Sequence, residues 1–196
     1  ESGKVEEVLR VERHATMLIP GSGVVADAET LPLEAESIEL AVSLLAFQEI
    51  NDVPGLLLQF RRSLKPDGLF LAAMLGGDTL RELRECLLVA ETELTGGASP
   101  RVYPFTDVRD AGALLQHAGF ALPVADIEVI TVRYPHLFAL MADLRAMGAT
   151  STLLDRSRMP PGHKLFTRAA EIYAERFSDS DGRIRATFAV VWLSGW

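Results

Sequence analysis

Two acidic residues stand where a nucleoside could be bound. Glu12 ends a predicted strand, and its carboxylate could accept two hydrogen bonds from the cis-diol of a ribose. Asp27 could accept the amino group of an adenine while the backbone N–H of Ala28 donates to the ring. Both carboxylates also have plainer interpretations, a solvated surface charge for Glu12 and a turn-forming residue for Asp27. Because ligands of open α/β sheets bind beyond the carboxyl ends of the strands, the pair favours a binding site.

Two further polar residues follow apolar runs. Gln48 can donate and accept hydrogen bonds, but it cannot act as a general base near neutral pH. Asp78 lies two residues after Gly76 and directly before Thr79. Thr79 and Glu82 have the spacing of a helix capping box, which explains them without any chemistry. Capping does not explain Asp78, which is therefore the candidate for a carboxylate on the substrate side.

The elements that must position these residues alternate along the chain. Apolar and β-branched runs predict strands at residues 7–12, 38–45, 69–75, 126–134 and 186–193. The run at 38–45 is almost continuously apolar, which predicts a central strand with both faces covered. Amphipathic spacing and capping residues predict helices near 15–18, at about 53–64, from 79 to 95, and over 107–119, 135–148 and 161–177.

This alternation predicts a doubly wound α/β domain with a mostly parallel sheet. Strand, helix and strand from residue 38 to residue 75 form a unit of the right-handed crossover kind. The length fits a single domain over residues 1–196, with helical additions at about 78–94 and 135–177. The run at 186–193 is a plausible antiparallel last strand.

Composition and charge indicate which kinds of partner and which cellular compartment to expect. The net charge of −8 and the pI near 5.0 argue against a nucleic-acid groove. Arg81, Arg84 and Arg101 could form a basic patch for an acidic partner, although a solvated helix face is the simpler interpretation. The single Cys86 excludes an internal disulfide and suggests a small buried hydrophobe. With no apolar run long enough for a membrane span and no visible signal peptide, we expect a cytoplasmic protein.

Longer motifs resemble those of class I S-adenosylmethionine (SAM) methyltransferases. The Asp27-Ala28-Glu29-Thr30-Leu31-Pro32 and Lys65-Pro66-Asp67-Gly68 motifs are shared by many such enzymes, including the malonyl carrier-protein methyltransferases of biotin synthesis. A narrower resemblance is to the methyltransferase-like assembly factors of respiratory complex I. It rests on these stretches: Gly76-Gly77-Asp78-Thr79-Leu80, Gly96-Gly97, Ser99-Pro100-Arg101, Pro104-Phe105 and residues 141–148.

The resemblance implies a Rossmann-like fold with SAM as cofactor. It implies cofactor contacts from Glu12, Asp27, Ala28, Leu45 and Ala46, and catalytic roles for Gln48 and Asp78; no metal ligands are expected, because the four histidines are scattered. The family usually carries His-Trp where this chain has Gln48-Glu49, so no imidazole is available there. The Gly-rich turn of the first βα unit is also missing, and we expect that unit to lie upstream of residue 1.

Three functions remain open on the sequence. The first is methyl transfer from SAM to a small-molecule or protein acceptor. The second, implied by the narrower resemblance, is hydroxylation of an arginine in a protein subunit, for which Asp78 would suit a cationic substrate. The third is a non-catalytic assembly or binding module that keeps the fold.

Overall fold

The computed structural model describes residues 5–97, 99–149 and 162–196. These residues divide into two compact units. The first unit draws on residues 1–74, 108–126 and 191–196, and the second on residues 75–107 and 127–190. The prediction of a single domain over residues 1–196 stays a prediction. In the described part of the chain, no helix has both the length and the apolar character that a membrane crossing needs.

The strands form a short parallel pair and a four-stranded sheet. Strands β1 (Arg10–Glu12) and β2 (Gly23–Val25) pair in parallel. Strands β3 (Ile38–Leu44), β4 (Leu64–Leu75), β5 (Val124–Tyr134) and β6 (Ile184–Gly195) form a sheet in the order β3-β4-β6-β5. β3 and β4 are parallel. Just beyond the strands, Ala121 and Trp196 exchange both of their backbone hydrogen bonds, a pattern of antiparallel pairing.

The predicted fold class is confirmed, with a parallel-dominated sheet and an antiparallel last strand. Five α-helices accompany the described strands: α1 (Val53–Ser63), α2 (Arg81–Thr95), α3 (Val108–His117), α4 (Leu137–Ala146) and α5 (His163–Phe177). Short 3₁₀ helices occur at Ala15–Met17 and Phe47–Glu49. The helical additions predicted at 78–94 and 135–177 therefore contain α2, α4 and α5, while residues 150–161 lie outside the described part.

Three predictions about strands were wrong. The strand predicted at residues 69–75 begins at Leu64 instead. The first strand does not begin at residue 7 but at Arg10, because its partner β2 offers only three residues for pairing. The strand predicted to be central, β3, is an edge of the described sheet, and Leu40, Val42 and Leu44 are exposed along it. A continuous apolar run shows that a strand has two apolar faces. It does not show that neighbouring elements cover them.

The first unit has a core rich in aromatic side chains. Residues of α1 and α3 pack with inward-facing residues of β3, β4 and β6. Phe70 lies 5.1 Å, centroid to centroid, from both Phe60 and Phe120. Asp52 caps α1 through the backbone N–H of Gly55, as its position before the helix predicts.

The second unit has a separate core beneath α2, α4 and α5. Its buried members include Leu83, Leu140 and Tyr173. Cys86 also lies in this core, and burial raises the pKa of its thiol to about 12. The interpretation of Cys86 as a small buried hydrophobe is therefore confirmed.

Candidate functional site

The first candidate site lies at the carboxyl ends of β1 and β2. Glu12 and Val25 are paired residues of the two parallel strands, and Asp27 follows two residues later. An open cavity of about 390 Å³ at this end is lined by Arg13, His14, Val25, Ala26 and Asp27. The structure therefore brings Glu12 and Asp27 to adjacent strand ends, where parallel sheets bind ligands.

Asp27 forms the turn that its plainer interpretation predicted. Its Oδ1 accepts a hydrogen bond of 2.9 Å from the backbone N–H of Glu29, which closes the turn around Ala28. Within the described residues, Oδ2 has no hydrogen bond, and the side chain is exposed. One oxygen thus fixes the loop and the other is free to accept a hydrogen bond from a ligand.

Two residues that sequence reasoning missed hold this loop in place. Glu29 Oε1 accepts hydrogen bonds from the backbone and the side-chain amide of Asn51, at 2.7 and 2.8 Å. The Gln59 amide donates to the backbone oxygen of Glu29 and accepts from the N–H of Leu31. The role of Glu29 could have been predicted, because this residue lies inside the motif that begins at Asp27. Nothing in the spacing of Gln59 indicated a contact with the loop.

A second candidate segment, Leu45 to Gln48, follows the end of β3 in the same unit. Leu45 has φ 54°, in the left-handed region that leucine rarely adopts, and its N–H donates 2.7 Å to the oxygen of Ala73. Ala46 then leads into the 3₁₀ helix Phe47–Glu49. Phe47 is buried in the core, and the Gln48 amide nitrogen donates back to the oxygen of Leu45. Strained backbone of this kind clusters at functional sites.

The turn at Gly76 to Leu80 belongs to the second unit and is tied to β6. The N–H groups of Gly76 and Leu80 donate to the oxygens of Ala189 and Thr187, at 2.8 and 2.7 Å. The Thr79 hydroxyl donates to the oxygen of Ala189 and accepts from its N–H, both at 3.0 Å. Backbone and side chain together therefore continue the pairing of β6.

The predicted capping box was wrong. Helix α2 begins at Arg81 after a left-handed Leu80 that provides no side-chain cap. The Glu82 carboxylate instead accepts hydrogen bonds from the backbone N–H and the hydroxyl of Thr187. Thr79 and Glu82 bind a strand more than 100 residues away because both are buried beside it.

The interpretations of Arg84 and Arg101 as surface cations were also wrong. The half-buried Arg84 guanidinium donates to the backbone oxygens of Gly77, Thr79 and Tyr103, each at 3.3 Å. Arg101 pairs with the buried Glu91, and this hydrogen bond lowers the pKa of the Glu91 carboxyl. Arg84 is thus a further residue that sequence reasoning missed, because it fixes the turn rather than binding a partner.

Asp78 lies at the exposed tip of this turn. Among the described residues its carboxylate has no hydrogen bond or ion pair, although the residues on both sides are fixed by Arg84 and β6. A carboxylate presented in this way can accept hydrogen bonds from a cationic group without first releasing another partner. Glu12, Asp27, Ala28, Leu45, Ala46 and Gln48 lie in the first unit, and Asp78 lies in the second.

Comparison with known sequences gives a family match and curated relatives. Residues 4–72 match a family described as a methyltransferase domain. The human protein named arginine-hydroxylase NDUFAF5, mitochondrial, is 43% identical over 178 residues, which cover 91% of this chain and 51% of the human protein. A malonyl-[acyl-carrier protein] O-methyltransferase of Laribacter hongkongensis is 39% identical over 173 residues, covering 88% of this chain and 56% of that protein. The chain spans about half the length of these relatives.

Comparison with solved structures gives the fold. The YcgJ protein of Bacillus subtilis has a TM-score of 0.63 at 15% identity, covering 99% of this chain and 83% of its own. A candidate type II methyltransferase of Anaeromyxobacter dehalogenans has a TM-score of 0.55 at 19% identity, covering 97% and 80%. Residues 4–72 thus resemble a methyltransferase domain, and the chain shares the fold of these solved structures, which confirms the predicted resemblance.

Proposed function

We propose that this chain binds SAM at the carboxyl ends of β1 and β2 and takes part in transfer of its methyl group to an acceptor. The observation that carries the proposal is the placement of Glu12 and Asp27 at adjacent ends of two parallel strands, beside an open cavity of about 390 Å³. The methyltransferase-domain match and the relatives named as methyltransferases support the same assignment.

The chain's own residues suit the donor and acceptor groups of the cofactor. Asp27 Oδ2 would accept from the adenine amino group, and the Ala28 N–H would donate to the ring. Glu12 would accept from the ribose hydroxyls, and Leu45 and Ala46 would contact the cofactor at the end of β3.

Bound SAM supplies an electrophilic methyl group on a sulfonium. Transfer of that group to an acceptor nucleophile would break its bond to sulfur, form a bond to the nucleophile and leave S-adenosylhomocysteine. This displacement depends mainly on alignment, so the site needs few acid or base groups. Gln48 and Asp78 are the proposed residues on the acceptor side, where Asp78 can hold a hydrogen-bond donor and the second N–H of the Gln48 amide can donate to the acceptor.

A second candidate function is hydroxylation of an arginine side chain in a protein. It is favoured by relatives named arginine-hydroxylase, at 41% to 43% identity in fish and mammals. The exposed, preorganised carboxylate of Asp78 suits a guanidinium, which forms charge-assisted hydrogen bonds with carboxylates. Those relatives carry the word mitochondrial in their names, while the proposed cytoplasmic location of this chain stays a prediction.

The first experiment is calorimetric titration of the chain with SAM and with S-adenosylhomocysteine. We expect saturable binding that Asp27→Ala weakens about tenfold or more, because a hydrogen bond to a carboxylate is removed. Asp110→Ala, an exposed acidic residue of α3, is the matched control and should bind as the wild type does. Equal affinities for all three proteins would refute the assignment of Asp27.

The mass of the product separates the candidate functions. The wild-type protein would be incubated with SAM and an arginine-containing protein fraction, and the acceptor analysed by mass spectrometry. One added methyl group supports methyl transfer, and one added oxygen atom supports hydroxylation. Cofactor binding without either product would favour a binding module.

A further inference from the structure

The segment that follows β3, Leu45 to Gln48, contains one buried hydrogen-bond acceptor without a partner. Among the described residues, Gln48 Oε1 is the buried side-chain atom that lacks a hydrogen-bond partner. Its amide nitrogen, in contrast, donates to the backbone oxygen of Leu45. Buried polar atoms in folded proteins are nearly always satisfied, so an exception calls for a physical explanation.

The orientation of the Gln48 amide follows from its neighbour. If the amide were turned over, Oε1 would face the oxygen of Leu45, and two acceptors would repel each other. The left-handed backbone of Leu45 fixes the position of that oxygen, and the Leu45 N–H is held by Ala73. Oε1 is therefore the part of the amide that is left for another donor.

We propose that Gln48 is a further cofactor-binding residue, whose Oε1 accepts a hydrogen bond from the α-ammonium group of SAM. This assignment rests on the proposed function. The cofactor carries three kinds of donor: the adenine amino group, the ribose hydroxyls and the α-ammonium. Asp27 and Glu12 are proposed for the first two, and the unsatisfied Gln48 Oε1 is an acceptor in the same unit for the third.

The chemistry of the ammonium suits this acceptor. A cationic N–H donor forms stronger hydrogen bonds than a neutral one, and the gain is larger where water is excluded. The Gln48 residue as a whole is only half-buried, and the terminal torsion of glutamine is broad. The amide can therefore adjust within this broad torsion to a donor that approaches from the solvent side.

The test compares two ligands, of which one carries the amino-acid end of the cofactor. S-adenosylhomocysteine has the α-ammonium and the α-carboxylate, whereas 5′-methylthioadenosine keeps the adenosine and the thioether but lacks both groups. Affinities of both would be measured by calorimetry for the wild type, for Gln48→Met and for Gln116→Met, an exposed glutamine of α3 that serves as the matched control. Methionine is chosen because it keeps the length of the side chain without polar nitrogen or oxygen.

We expect Gln48→Met to weaken S-adenosylhomocysteine about tenfold while leaving 5′-methylthioadenosine unchanged. The thermal midpoint of the free variant should not fall, since an unsatisfied acceptor is removed together with its neighbouring hydrogen bond. Equal weakening of both ligands, or no weakening of either, would overturn the assignment while leaving the proposed cofactor site intact. Failure of the wild type to bind S-adenosylhomocysteine would overturn the proposed function and this assignment with it.

A second variant covers the case in which Gln48→Met does not fold. Gln48→Glu retains an acceptor oxygen and adds a negative charge that attracts an ammonium. We expect it to keep or increase the preference for S-adenosylhomocysteine over 5′-methylthioadenosine, and more so at low salt. A preference reduced to that expected of Gln48→Met would contradict a contact between Gln48 and the ammonium.

Discussion

A leucine with a left-handed backbone follows β3 directly and follows β4 after the turn at residues 76–79, but these two segments, the β3 exit and the β4 exit, are built differently. Leu45 follows β3 with φ 54° and is 49% exposed. Leu80 follows β4 with φ 55° and is 7% exposed. At the β4 exit, burial of the Leu80 side chain therefore offsets the backbone strain. At the β3 exit, the exposed Leu45 side chain offsets little of it.

The surroundings of the two leucines explain what each exit can do. The β4 exit is fixed by Thr79, Glu82 and Arg84, so Asp78 is presented on a rigid turn. At the β3 exit Leu45 bonds to Ala73, and Gln48 leaves an acceptor unsatisfied. Low local stability is typical of segments that bind ligands, and rigid turns are typical of preorganised groups. The comparison suggests that the β3 exit adjusts on binding and that the β4 exit does not.

The largest expected effect comes from removing the anchor of the β4 exit. Glu82→Ala leaves the N–H and the hydroxyl of Thr187 buried without their acceptor. We expect the free energy of unfolding to fall by about 3 kcal/mol, since each unsatisfied buried group costs about 1–3 kcal/mol. Urea denaturation followed by circular dichroism would measure the change.

Glu85→Ala is the matched control on the same helix. Glu85 forms an exposed ion pair with Arg176, and such pairs contribute about 0–1 kcal/mol. A loss as large in Glu85→Ala as in Glu82→Ala would mean that the Glu82 contacts to β6 do not anchor the turn.

The fold was predictable from sequence where it depends on local pattern. Amphipathic spacing and end signals gave α1, α2 and α4 to within a few residues, and β-branched runs gave β5 and β6. The edge position of β3 was not predictable in this way. Strand order depends on which elements pair at long range, and an apolar run has the same pattern at an edge as in the centre.

The candidate site was predictable to a similar extent. Glu12 and Asp27 were found because acidic residues at strand ends are visible in the sequence, and the structure places them at adjacent ends. The roles of Thr79 and Glu82 were not, because the spacing of a capping box is the same when both side chains bond to a distant strand. Their partners in β6 lie more than 100 residues further along the chain.

The two left-handed leucines give a paired prediction of smaller size. Glycine relieves the backbone strain of about 1–2 kcal/mol at either position. In Leu80→Gly this gain is outweighed by the loss of a buried side chain, so we expect a net loss of about 2 kcal/mol. In Leu45→Gly little packing is lost, and we expect a stability between that of the wild type and about 1 kcal/mol above it.

Denaturation midpoints of the two glycine variants test this contrast directly. Both variants would be measured in the same buffer, and the slopes of the transitions compared to confirm that the same surface unfolds. Equal changes of the same sign at the two positions would contradict the interpretation that burial separates the two exits.

The smallest and most local effect is expected at Arg84. Arg84→Met leaves the oxygens of Gly77, Thr79 and Tyr103 without the guanidinium, while its apolar stem is largely kept. When the turn opens, water can bond to those oxygens in place of the guanidinium. We therefore expect the free energy of unfolding to fall by only about 1 kcal/mol.

Amide hydrogen exchange would detect the local part of this effect. The N–H groups of Gly77 and Leu80 donate to Thr106 and Thr187 in the closed turn, and their exchange should speed up in Arg84→Met. Arg62→Met, at an exposed arginine of α1 in the first unit, is the control and should leave both rates unchanged. Unchanged exchange at both Gly77 and Leu80 in Arg84→Met would contradict the comparison, because it would mean that Arg84 does not hold the β4 exit rigid.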